Sequence, residues 1–117
     1  VIPYEEKLSR ILDRLGGLYT VDDLLIRIGD GRMQSHVVGN SWAITEINVF
    51  PRARQLHVIA IVGDLADTPA LNGKVLDFAR EIGVGVVTTQ GRRGWMATGH
   101  ALGWKLKAKS FLWMKEL

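Results

Sequence analysis

VGVVTTQGRRGWMATGHALGWKLKAKSFLWMKEL, residues 84–117, orders the reading of the chain. Val84 to Thr89 is a short apolar run of the kind that forms a buried strand. Residues 92–101 then suit a short helix. Leu102-Gly103-Trp104 makes a glycine–aromatic step, and 104–116 returns as a last strand.

Upstream, Leu8, Ile11, Leu12 and Leu15 fall at i, i+3, i+4, i+7 and predict one apolar stripe on a first helix, closed by Gly16-Gly17. Thr20 suits an N-cap, with Asp22 and Asp23 in the first turn of a second helix whose stripe is Val21, Leu24, Leu25 and Ile28. The middle reads as strands over 35–38, 41–50 and 55–62. The connection Pro51-Arg52-Ala53-Arg54 is short enough to force an antiparallel hairpin. LHVIAIV, residues 56–62, is apolar on both faces apart from His57, as expected of a central strand covered on both sides. Thr68 suits an N-cap and Pro69 the N1 position of a third helix, with Leu71, Val75, Phe78, Ala79 and Ile82 as its stripe and Gly83 as its stop. Residues 56–89 thus read as a right-handed βαβ unit with parallel strands. The expected order is α-α-β-β-β-α-β-α-β. That is one α+β domain, 1–117, with a helical pair over 1–32 and a mixed, mostly antiparallel sheet of about five strands with two helices over 33–117.

A chain of 117 residues, 47% hydrophobic and 23% charged, suits one packed domain. No apolar run is long enough to span a bilayer, and the opening VIPYEEKLSRIL reads as helix rather than as a secretory leader. There is no cysteine, which excludes disulfides and thiolate chemistry, and His36, His57 and His100 lack metal-ligand spacing. Charge is uneven. Residues 1–89 hold 9 Lys+Arg against 11 Asp+Glu, a net −2; residues 90–117 hold 6 Lys+Arg and one Glu, a net +5.

The helix ending at Ile82-Gly83, strand 84–89, helix and Leu102-Gly103-Trp104 step resemble the C-terminal half of the Gcn5-related N-acetyltransferase (GNAT) fold. The chain is more specifically similar to small GNAT-like proteins of tailed bacteriophages and prophages. Thr45-Glu46-Ile47, Pro51 with its arginines, Gly63-Asp64-Leu65, Gly91-Arg92-Arg93-Gly94-Trp95 and Lys115-Glu116-Leu117 carry that likeness, which covers roughly residues 20–117. The resemblance implies acetyl-CoA as cofactor, its pyrophosphate held by an Arg/Gln-x-x-Gly-x-Gly/Ala run after the central strand. Successive backbone N–H groups at a helix start would cradle the anion there. This chain has GDLADTPALNG at 63–73, with no glycine pair and no arginine. Asp64 and Asp67 add negative charge, and Pro69 lacks an N–H.

Acetyl transfer also needs a general base. Glu46 is one candidate: either it shares the face of Trp42 and Ile44, or the phase slips at a bulge near Thr45-Glu46. His57 is either a second base or a packed strand histidine. The resemblance implies a tyrosine general acid on the short helix before Trp104; that helix offers His100 instead. Arg92 and Arg93 at a helix start form either an anion site or a solvated turn anchored by Trp95. Lys105, Lys107 and Lys109 share one face of a strand that continues into Phe111 and Trp113. Such a strip suits a guarded edge, a protein interface or a stacking surface for single-stranded nucleic acid.

Three functions follow. The first expectation is a catalytically silent, GNAT-like phage structural or virion-associated protein. It would hold portal, tail or internal virion proteins through Arg92, Arg93, Trp95 and the Lys105–Trp113 strip, without cofactor or metal, in the virion or host cytoplasm. The alternative is an active N-acetyltransferase with a divergent acetyl-CoA loop, with Glu46, His57 and His100 as catalytic residues and Gly63, Asp64 and Thr68 at the cofactor. The third is a small protein that contacts nucleic acid through its basic end.

Overall fold

The computed structural model describes residues 5–14, 16–89 and 102–105. Within them the order is α1 (Glu5–Arg14), α2 (Val21–Gly29), β1 (Met33–Val38), β2 (Ser41–Val49), β3 (Arg54–Val62), a single 3-10 turn (Leu65–Asp67), α3 (Thr68–Glu81) and β4 (Val87–Thr89). The four strands form one sheet in the order β1-β2-β3-β4. The first two pairings are antiparallel, and β3 and β4 run parallel on either side of α3. The α+β architecture expected from the sequence is therefore present. The fifth strand expected over 104–116 lies outside the described residues except for Trp104 and Lys105, which are not in a strand.

Two hydrophobic cores flank the sheet. On one face α1 contributes Leu8 and Leu12, and α2 contributes Val21 and Leu24. They pack on Met33, Trp42, Ile44, Ala60 and Val62. Leu25, counted on the α2 stripe from spacing, is instead exposed. On the other face Leu71, Val75 and Ala79 of α3 pack on Ala43, Leu56, Val58 and Val84. β3 is thus covered on both sides, which accounts for its run of apolar residues over 56–62, broken only by His57.

Even-numbered residues of β3 face opposite cores in its two halves: Leu56 and Val58 face α3, and Ala60 and Val62 face the helical pair. The register explains the switch. Ile44 pairs with Ala60 but Thr45 pairs with Val58, so Ile59 is an extra residue and β3 carries a β-bulge. The expectation of a phase slip within β2 near Thr45-Glu46 is corrected. The irregularity does fall between Ile44 and Thr45, but the added residue belongs to the partner strand, and β2 alternates without interruption.

Local signals set the element ends. Thr20 and Asp23 form a reciprocal capping box at α2, with Asp23 N–H donating to Thr20 Oγ1 at 3.1 Å and Thr20 N–H to Asp23 Oδ2 at 2.9 Å. Gly83, at φ +75°, stops α3. Trp104 Nε1 donates to Asn72 Oδ1 at 2.7 Å, which seats the Gly103-Trp104 step on α3.

Candidate active site

β2 projects Trp42, Ile44 and Glu46 toward the helical pair, and the register brings Glu46 opposite His57. His57 in turn lies opposite Thr88 of β4. A hydrogen bond of 2.9 Å joins His57 Nδ1 and Thr88 Oγ1. One residue from each of three adjacent strands thus forms a polar row on one face of the sheet. Met33, opposite Glu46 on β1, ends the row in the core. Glu46 and His57 are both half-buried, so neither is sealed from solvent. Among the described residues Glu46 makes no hydrogen bond or ion pair. The row sits one residue pair from the bulge, where β3 bends and ladder pairing is locally disturbed. Glu46 and His57, opposite one another on the strand pair beside the bulge, are side-chain types that can transfer protons. Both are candidate bases in the sequence, given the acetyl transfer that the resemblance implies; Thr88 gives no sequence signal, because its role depends on the parallel register of β4.

The loop that leaves β3 has a different character. Gly63, Asp64 and Thr68 are brought together at the end of β3 and the start of α3. Gly63 adopts φ +139°, and a Cβ there would overlap Ser41 at the β1–β2 turn. Ser41 Oγ accepts from Asp64 N–H at 2.9 Å and donates to Asp67 Oδ2 at 2.6 Å. The expected N-cap Thr68 is corrected: Asp67 occupies that position, and it caps with no side-chain hydrogen bond because its carboxylate is turned toward Ser41. The described residues of this loop do not fit the pyrophosphate of acetyl-CoA. The Asp67 carboxylate and the Asp64 N–H are committed to Ser41, and the Asp67 N–H to Asp64 O.

A second polar cluster lies on the α3 face. Thr45 Oγ1 donates to Gln34 Oε1 at 3.0 Å and lies 2.9 Å from His36 Nε2. With its one proton directed to Gln34, the hydroxyl accepts from His36 Nε2–H. The His36 ring packs on Phe78 at a centroid distance of 5.1 Å. Burial, and secondarily the charge of Lys74, hold the His36 pKa below its ordinary value.

His100, Arg92, Arg93, Trp95, Lys107, Lys109, Phe111 and Trp113 lie outside the described residues; Lys105 is exposed. Among the described residues no group of His, Asp and Glu has a metal-binding arrangement, and no helix is long and apolar enough to cross a membrane.

No family model matches the chain, and none of the curated proteins does. Solved structures do. The protein TTHA1254 of Thermus thermophilus superimposes with a TM-score of 0.62 at 22% identity, over 98% of this chain and 95% of that one. An acetyltransferase of Trypanosoma brucei gives a TM-score of 0.65 at 16% identity, over 95% of this chain and 94% of that one. An aminoglycoside antibiotic 6'-N-acetyltransferase of Acinetobacter haemolyticus gives 0.63 at 10% identity, over 97% and 94%. The chain therefore has the α+β fold of GNAT acetyltransferases.

Proposed function

We propose that this chain is an N-acyltransferase that moves an acyl group from a thioester to an amine, with a donor loop that departs from the GNAT pattern. The observation that carries the reading is the opposition of Glu46 and His57 beside the β3 bulge on this scaffold. Glu46 takes the proton of the attacking amine. The amine nitrogen bonds to the acyl carbon, the carbon–sulfur bond breaks, and His57 returns a proton to the departing thiolate. Thr88 holds the His57 ring through Nδ1 and so directs Nε2 away from β4.

The test is release of free thiol from S-acetyl donors in the presence of a panel of primary amines. The expected result is amine-dependent release by the full chain that falls in the Glu46→Gln variant. Absence of amine-dependent release with every donor overturns the reading.

A second reading is favoured by the closed loop of Ser41, Asp64 and Asp67. In it the chain is a catalytically silent scaffold acting through protein contacts, as the likeness to phage virion-associated proteins implies. It predicts no thiol release, no binding of any thioester, and co-purification with assembled particles.

A further inference from the structure

The loop that fails to suit a pyrophosphate also says which donors it admits; this inference rests on the acyl-transfer reading above. A diphosphate at a strand–helix junction needs free backbone N–H groups, a nearby cation and no competing anion. Residues 64–69 serve these needs poorly: the Asp64, Asp67 and Thr68 N–H groups are already bonded, no residue of the run is cationic, and two are aspartates. Asp64 N–H donates to Ser41 Oγ at 2.9 Å, Asp67 N–H to Asp64 O at 3.0 Å, and Thr68 N–H to Leu65 O. Residue 69 is proline, so Leu65 and Ala66 alone keep N–H groups outside these bonds. The first basic residue of α3, Lys74, donates through Nζ to Val37 O at 2.8 Å. Asp64 and Asp67 place two carboxylates in the loop, one of them fixed by Ser41 at 2.6 Å. The arrangement is braced from outside. Gly63 presses against Ser41 so closely that a Cβ does not fit, and a Cβ on Gly39 would meet Asp67 Oδ2 at 3.3 Å. The loop is therefore tied to the β1–β2 turn and is not an open cradle with weak contacts.

We infer that the acyl donor is a thioester of the pantetheine type whose nucleotide diphosphate contributes nothing to binding. An acyl-pantetheine, free or carried on another molecule, meets that description, and acetyl-CoA is used only through its pantetheine arm.

The experiment compares acetyl-CoA with S-acetylpantetheine as donors to the same amine, using the full chain and thiol release. Values of kcat/KM within about threefold of each other, with no inhibition by 3′,5′-ADP, are expected. A preference for acetyl-CoA of about tenfold or more, or competitive inhibition by 3′,5′-ADP, overturns the inference while leaving acyl transfer intact. If neither donor reacts, the acyl-transfer reading falls, and calorimetry then tests by itself the claim that the nucleotide contributes nothing to binding. Equal affinity for CoA and pantetheine supports the inference; tighter binding of CoA, or binding of neither, overturns it.

Discussion

Ser41 Oγ lies 2.6 Å from Asp67 Oδ2 and donates to it, joining the first residue of β2 to the N-cap of α3 across 26 positions of sequence. The same oxygen accepts from Asp64 N–H, so one buried hydroxyl satisfies both ends of the loop. Ser41→Ala removes the hydroxyl that bonds both a half-buried carboxylate and a backbone donor. The expected cost is about 1–3 kcal/mol, read as a lower urea midpoint at unchanged m-value. Asp67→Asn keeps an acceptor for Ser41 and removes the charge; CoA should bind this variant more tightly than it binds the parent chain.

Gly63 combines φ +139° with contact against Ser41. Gly63→Ala therefore adds both backbone strain and overlap with a main-chain atom that has nowhere to move. A loss of about 3 kcal/mol is expected from thermal or urea unfolding. Gly29→Ala is the control, since a Cβ there meets nothing within 4 Å and φ is not positive, and it should leave stability near the parent value.

Glu46→Gln preserves shape and removes the base. Amine-dependent thiol release should fall by about 10²–10³ in kcat/KM. Thr88→Val removes the partner of His57 Nδ1 while keeping a β-branched strand residue. It should alter the pH–rate profile with little change in unfolding midpoint, whereas Thr88→Ser should restore the profile. An unchanged profile in Thr88→Val removes Thr88 from its positioning role.

His36 supplies a pH dependence of stability. Burial lowers its pKa from the ordinary 6.5, so below that value the unfolded chain binds more protons than the folded one. Stability conferred by neutral His36 is complete above about pH 6.5 and is lost as pH falls through the lowered folded pKa. His36→Gln should flatten this dependence below about pH 6.5, measured by urea unfolding at successively lower pH. A variant with the same acid slope as the parent would show that other groups govern it.

The apolar stripes of α1 and α3, the hairpin joining β2 to β3 and the parallel pairing through α3 are legible in the sequence because each depends on residues close along the chain. Hydropathy puts the bulge on the wrong strand for a definite reason. β2 and β3 are covered on both faces, so Ile47 is as apolar as Ile44, and hydropathy no longer reports phase. Thr68 looks like the cap because cap chemistry is local, while Asp67 is drawn into that position by Ser41, far away in sequence. Thr88 joins the candidate site only through strand pairing. The misfit of the 63–69 loop to a pyrophosphate is visible in its aspartates and proline; the ties that close it are not.

The extra residue at Ile59 makes β3 a wall shared by two compartments with opposite parity. Deleting one residue there would not merely shorten the strand. It would exchange inward and outward positions for half of β3, sending Leu56 and Val58 toward the helical pair or Ala60 and Val62 toward α3. Neither core holds together without this strand, so the two compartments should melt in one transition. Length changes between β2 and α3 should be excluded from β3 itself and confined to the 51–53 turn.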